Sequence, residues 1–185
     1  MATAELTAPM TAEEFGRRPD PGYPEELVRG RVVSMSVPDR RHGLVCNKAG
    51  RILGNFVDEH ELGRVMNNDS GVITERGPDT VRGADVAYYS YERLPRGTLT
   101  KGYGPEVPEL VVEVRSPSDR WREVVEKVAE YLRAGVRVVV VLDPDPRSAH
   151  VFDADAPPRP LGPDDELTLP GVLEGFAVRV GRFFE

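Results

Sequence analysis

Glu113 is the residue most at odds with its surroundings, because it interrupts the apolar run Leu110-Val111-Val112-Glu113-Val114. An ionised carboxylate left without a partner among buried side chains is strongly destabilising, so something must compensate it. Asp85 poses the same question between Ala84 and Val86, at the start of another apolar stretch 28 positions earlier. Two carboxylates on adjacent strands suit one hard cation, since Mg²⁺ takes oxygen ligands and is often held by one or two carboxylates with water and a substrate phosphate. The backbone carbonyl of Val114 offers a third oxygen. The alternative is purely structural: Glu113 pairs with Arg115 or Arg137 at a sheet edge, and Asp85 ends its strand in a turn. Lys127 adds a cation further on, although Glu123 and Lys127 also read as an ordinary i to i+4 pair on a solvated helix.

Other chemistries are poorly served. The chain has no Gly-x-x-x-x-Gly-Lys-Ser/Thr phosphate loop, no Gly-x-Ser-x-Gly elbow and no His-Glu-x-x-His pair. Cys46 is the only cysteine, which excludes an intrachain disulfide. A structural zinc site would have to rest on the scattered His42, His60 and His150.

The elements that must position the acids follow from periodicity. Leu27 to Met35 reads as a hairpin about Arg29-Gly30. From Arg40 to Leu62, Leu44, Val45, Ala49, Ile52, Leu53, Phe56 and Val57 recur at the helical period, with Gly63 as the stop. Gly50 and Gly54 on that helix read as close packing or tolerance. Arg64–Met66 and Gly71–Thr74 are expected to be two strands joined by the polar turn Asn67-Asn68-Asp69-Ser70. Ala84–Tyr89 and Leu110–Val114 are strands, the second central because it is so apolar. Ser116-Pro117-Ser118-Asp119 announces a helix that ends near Leu132–Gly135, and Val136–Leu142 is another buried strand. Ala149–Phe152 and 167–184 read as shorter strands around a Pro- and Asp-rich loop. Ahead of all this, Thr11 and Glu14 form a capping-box pattern for one short helix. The order describes a mixed α/β sheet with helices packed on it, in one domain over residues 24–185 preceded by an extension over 1–23.

The 185 residues carry 24 Lys plus Arg against 31 Asp plus Glu, a formal charge of -7, which argues against a generic basic nucleic-acid coat protein. The excess is concentrated late in the chain. Asp143, Asp145, Asp153, Asp155, Asp164, Asp165 and Glu166 face only Arg147 and Arg159 over residues 143–166, whereas Arg120 to Arg137 is locally basic. No apolar run is long enough to span a membrane, and Met1 to Met10 lacks the pattern of a signal peptide, so a cytoplasmic location is expected.

Asp85, Glu113-Val114, Ser116-Pro117-Ser118-Asp119, Lys127-x-x-x-Tyr131 and Gly135-Val136 leading into a strand that ends Asp143-Pro144 together resemble the Uma-type putative restriction endonuclease family, within the PD-(D/E)XK nuclease superfamily. The likeness extends upstream to Glu26-Leu27-Val28-x-Gly30 and Arg41-His42-Gly43, and so spans nearly all of residues 24–184. It implies a restriction endonuclease-like fold, a central mixed sheet flanked by helices with additional N-terminal hairpins. It also implies Mg²⁺- or Mn²⁺-dependent hydrolysis of DNA phosphodiester bonds. Asp85 matches the first acid, with Ala84 where the name-giving motif has Pro, and Glu113 matches the second. These two and the Val114 carbonyl would hold the metal. The superfamily lysine normally stands two residues after the second acid, where this chain has Arg115. In the Uma-type pattern Lys127 takes over that role, orienting the attacking water or offsetting charge. Arg115 stays protonated, so it could stabilise a transition state but not act as a base. Glu26, His42 and Tyr131 match positions near the site as accessory candidates. A homodimer is expected, because a two-fold pair sets one site on each antiparallel DNA strand. The competing expectation is a catalytically silent nucleic-acid-binding or protein-interaction module that keeps the fold.

Overall fold

The computed structural model describes residues 8–99 and 101–185. Residues 1–7, part of the segment read for a signal peptide, and Thr100 in the Gly- and Pro-rich loop lie outside the described residues.

The chain begins with α1 (Ala12–Gly16), capped as its sequence predicts. The Thr11 hydroxyl accepts from the Glu14 amide at 3.2 Å, and the Glu14 carboxylate accepts from the Thr11 amide at 2.8 Å. Ala12 and Phe15 pack on Leu27, Ile73 and Val81. β1 (Glu25–Val28) and β2 (Arg31–Ser34) form the expected hairpin. Its two turn residues, Arg29 and Gly30, both take left-handed backbone (φ 49° and 75°), the geometry that matches the natural twist of a two-residue hairpin.

The long helix α2 (Arg40–Glu59) buries Val45, Ala49, Leu53 and Val57. It stops short of Leu62, with His60 as its cap. Gly63 serves a different purpose from helix termination: it opens β3 (Gly63–Glu75), where a Cβ would fall 2.0 Å from the Tyr89 carbonyl oxygen. β3 is one strand rather than two. It pairs with β4 (Thr80–Ser90) on both sides of the segment read as a turn. The register shifts between Asn67 and Ser70, and Asn68 and Asp69 adopt positive φ (63° and 54°). The segment is therefore a bulge inside a long hairpin, and residue types that read as a turn build either feature.

β5 (Leu110–Val114) lies between β4 and β6 (Val138–Asp143), antiparallel to the first and parallel to the second. The β5-to-β6 crossover is α3 (Trp121–Ala134), closed by Gly135 at φ 105°. Ser116–Asp119 forms its own turn ahead of this helix, the Asp119 carboxylate accepting from the Ser116 amide at 2.8 Å. β7 (Ser148–Asp153) and β8 (Ala156–Leu161) complete the sheet, whose order is β2-β1-β4-β5-β6-β7-β8 with β3 on β4. β8 falls in the stretch read as a Pro-rich loop. Pro157, Pro158 and Pro160 are tolerated there because the strand is at the edge. β9 (Glu166–Leu169) and β10 (Leu173–Arg179) pair separately, and a 3₁₀ turn, Val180–Phe184, ends the chain.

Two apolar layers sandwich this sheet. One packs α2, β9, β10 and the terminal turn against Val86, Tyr88, Leu110, Val112, Val138 and Val140. The other packs Val128 and Tyr131 of α3 against Ala87, Val111, Val139 and Val141. The two helices thus cover opposite faces. The molecule is a mixed α/β protein with a central mixed sheet, as its sequence predicts. Among the described residues, no helix is long and apolar enough to cross a membrane.

Candidate active site

β4 and β5 run antiparallel with Val86 opposite Val112 and Ala87 opposite Val111. Extending that register by one residue sets Asp85 against Glu113 where the two strands leave the sheet's apolar centre. Both acids line an open cleft of about 440 Å³ with Glu26, His42, Asp69, Val114 and Lys127.

Asp85 is buried, and its Oδ2 accepts from the Val114 amide at 2.7 Å and lies 3.4 Å from His42 Nε2. Burial alone would raise this carboxyl, but the His42 ring and the Val114 N–H outweigh it and hold the group below the usual carboxylate range. Burial pushes His42 the other way; Asp85 and the Val114 carbonyl more than reverse that and favour the imidazolium.

Glu113 keeps only 13% of its side chain exposed. Its Oε2 accepts from Lys127 Nζ at 2.9 Å and its Oε1 from the Tyr131 hydroxyl at 2.8 Å. Burial, reinforced by the nearby charge of Asp85, pushes this carboxyl up to about 7 despite the lysine. Lys127 also donates to the Gly83 carbonyl at 3.1 Å and lies 3.4 Å from Glu26 Oε1. Its surroundings would lower an isolated ammonium, but Glu113, Glu26 and Asp85 overcompensate and keep it charged. Tyr131 remains a neutral donor, since burial and then Glu113 raise its phenol further.

Glu26, from β1, accepts from the Gly83 amide at 3.0 Å and from Arg82 at 2.8 Å. Arg82 in turn grips Glu130 of α3 through two bonds, at 2.7 and 2.9 Å. Burial raises Glu26, while Lys127 and Arg82 lower it by more, so it stays ionised.

Six of the sequence-derived candidates therefore come together: Asp85, Glu113, Lys127, Glu26, His42 and Tyr131. Arg115 makes no bond to them, although it lines an adjoining cleft with Glu26, Glu113 and Lys127. Its guanidinium pairs with Asp143 at 2.9 Å, donates to the Asp119 carbonyl at 3.1 Å and sits over the Trp121 ring. Nor does Glu113 take Arg115 or Arg137 as a partner, the structural alternative read from sequence; Lys127 fills that place.

Four residues at the site escaped the sequence reading. Arg82 and Glu130 read as ordinary charged positions in a strand and on a helix, because their mutual pairing joins segments far apart in the sequence. Asp69 was assigned to a turn, but the β3 bulge brings it to the cleft, where burial and then Asp85 raise its carboxyl. Cys46 stands one helical turn after His42, with Sγ 3.3 Å from the His42 Nδ1. Burial and the adjacent Asp85 keep it as a thiol.

The donor set fits a hard divalent cation. Asp85 and Glu113 both line the cleft, each Glu113 oxygen retains a second lone pair, and Glu113 is a buried acid whose carboxyl is raised by burial and then by Asp85. Lys127 faces Glu113, Glu26 and Asp85 together, while Arg82 and His42 further offset Glu26 and Asp85, so Glu113 is the least compensated of the three.

Comparison with known proteins places this arrangement. No curated protein matches the sequence. A crystal structure described as a putative nuclease belonging to DUF820, from Anabaena variabilis, superposes with a TM-score of 0.80 at 17% identity and covers 95% of this chain and 98% of the other. The two share a fold. The Uma2 family, described as putative restriction endonuclease, matches residues 12–181. The family match supports a nuclease function. With more than nine-tenths of its length accounted for in this way, the chain belongs to the Uma2 family of putative restriction endonucleases.

Proposed function

We propose that the protein is a divalent-metal-dependent DNA endonuclease. In this reading Asp85, Glu113 and the Val114 carbonyl hold Mg²⁺ or Mn²⁺, and Lys127 assists the attacking water. The observation that carries it is the convergence of Asp85, Glu113 and Lys127, from β4, β5 and α3, on one cleft. A bound ion of this kind polarises the scissile phosphate and lowers the pKa of water. The protein's own groups do the rest. Lys127 is charged, so it serves as a hydrogen-bond donor and a counter-charge rather than as a base. Tyr131 and Lys127 fix the Glu113 carboxylate from α3, while the Val114 amide and His42 fix Asp85. Each acid is thereby aimed before the substrate arrives.

The test is plasmid nicking and linearisation by the purified protein with Mg²⁺ or Mn²⁺, beside Asp85→Asn and Glu113→Gln. Cleavage should fall by at least about a hundredfold in either variant, the order expected when a group that stabilises the transition state is removed. Equal, undiminished DNA in all three lanes across several substrates would sink the proposal.

One observation favours a second reading, a silent binding module. Lys127 is already engaged with Glu113, Gly83 and Glu26, and the Arg115 guanidinium pairs with Asp143 rather than with Asp85 or Glu113. Calorimetric titration with Mn²⁺ separates the two, because a silent module shows no binding that Glu113→Gln abolishes.

A further inference from the structure

His42 and Cys46 lie four residues apart on α2 and leave the helix on one side. Both reach toward Asp85. One donor atom from each of the three residues, an imidazole nitrogen, the thiol sulfur and a carboxylate oxygen, lies within 4.8 Å of the other two. His42 Nε2 is 3.4 Å from Asp85 Oδ2 and 4.0 Å from Cys46 Sγ. A tetrahedral ion with bonds of about 2.0 Å to nitrogen and oxygen and about 2.3 Å to sulfur holds its donors roughly 3.3–3.6 Å apart. The imidazole's separations from the carboxylate oxygen and from the sulfur are thus within about half an ångström of those spacings, and the sulfur-to-oxygen separation is under 4.8 Å.

We propose that His42, Cys46 and Asp85 form a second cation site, distinct in character from the all-oxygen site, that takes a borderline transition-metal ion of the zinc class. As thiolate and neutral imidazole, each giving up on metal binding the proton it holds in the metal-free site, Cys46 and His42 select against Mg²⁺ and Ca²⁺ and in favour of zinc, cobalt or iron. The surroundings orient the donors as second-sphere groups do in metal sites. The Asp39 carboxylate caps the helix at the His42 amide (2.8 Å), fixing the turn that carries the imidazole. The Val114 amide holds the Asp85 oxygen at 2.7 Å, and the Val114 carbonyl faces the His42 ring. A fourth position would open to the cleft that His42 and Asp85 line. The remaining histidines lie elsewhere, His60 stacked on Phe56 and His150 against Trp121. Asp85 belongs to both cation sites, so a zinc-class ion here would draw it away from the hard cation and suppress cleavage. That consequence rests on the nuclease reading; the binding does not.

The experiment uses the full-length protein, freed of metal, titrated with Co²⁺ and followed by absorption. Expected is a near-ultraviolet thiolate-to-cobalt charge-transfer band that saturates at one equivalent and is erased by Zn²⁺. Cys46→Ser should lose the band while remaining folded by circular dichroism. His42→Ala should weaken Co²⁺ binding by roughly tenfold or more. Glu113→Gln should keep the band. In the wild type, Zn²⁺ should slow alkylation of Cys46 while Mg²⁺ does not, a readout that needs no variant. Absence of the sulfur band in the wild type overturns the proposal. So does a band that persists in Cys46→Ser or disappears in Glu113→Gln. Plasmid cleavage with Mg²⁺, with and without Zn²⁺, is measured on the same preparations. Failure of the nuclease reading then appears as no cleavage with an intact cobalt band.

Discussion

Lys127 is the residue on which the site's charge turns. It faces Glu113, Glu26 and Asp85, and its removal would leave largely buried carboxylates without their shared cation. Breaking such a pair from one side typically costs about 3–5 kcal/mol; both side chains are partly open here, so a loss near the lower end of that range is expected for Lys127→Ala. Urea denaturation in the presence of EDTA measures it. Glu113 adds a pH dependence with a definite sign. Its folded-state carboxyl is raised to about 7, above the ordinary value of 4.5, so the folded state binds the extra proton between those limits. The stabilisation from that proton is complete below about 4.5 and is lost as pH rises through about 7. The metal-free wild type should therefore lose stability relative to Glu113→Gln between pH 5 and 8, in urea midpoints taken across that interval. A cation needs the ionised carboxylate, so Mg²⁺ affinity should follow the opposite course and rise from pH 6 to pH 8, as read by calorimetry.

At the scale of elements, the buttress of α1 is Asp79. Its Oδ2 accepts from the Ala12 amide at 2.8 Å and from Arg76 at 2.8 Å, and its Oδ1 accepts from the Gly77 amide at 3.2 Å. Asp79→Ala should cost about 1–3 kcal/mol, the usual range for charged hydrogen bonds left unmade, and should increase amide exchange in α1 before the rest of the molecule. Burial would raise this carboxyl, but the two amides and Arg76 depress it, so its contribution persists above the ordinary Asp range and is lost as pH falls below it. Which elements could be read from sequence follows from how local their causes are. The helical spacing of Val45, Ala49, Leu53 and Val57, and the largely apolar runs of β5 and β6, are dictated by burial and needed no partner to be recognised. The continuity of β3 and the existence of β8 are not local. Asn67–Ser70 has turn chemistry whether or not β4 pairs on both sides of it, and Pro157, Pro158 and Pro160 are acceptable as strand only because nothing beyond β8 needs their missing N–H groups. The same division holds within the site. Glu113 and Asp85 stand out because their neighbours are apolar, whereas the Arg82 clamp between Glu26 and Glu130 joins residues 56 and 48 positions apart that only the fold brings together.

Across the whole molecule, charge decides how DNA could be held. Glu25, Glu26, Asp39, Asp69, Asp85, Glu113 and Asp119 line the cleft, against Lys127 and His42. A phosphate backbone would be repelled by such a surface until cations neutralise it. If the nuclease reading is right, duplex affinity measured by fluorescence anisotropy should be weak in EDTA and rise at least about tenfold with Ca²⁺, which takes the same oxygen ligands as Mg²⁺. Asp85→Asn should blunt that rise. A protein that used a basic groove instead would bind as well in EDTA.

The placement of α2 and α3 on opposite faces of the sheet has a steric consequence for any polymer that enters. His42 comes to the acids from one layer and Lys127 from the other, so each helix walls off its own side of the strand ends. On the nuclease reading, a duplex would have to present its backbone end-on to the strands, straddled by the two layers like a rail between flanges. Adding bulk to either helix near the cleft would change which groove can be admitted without touching the atoms that do the chemistry.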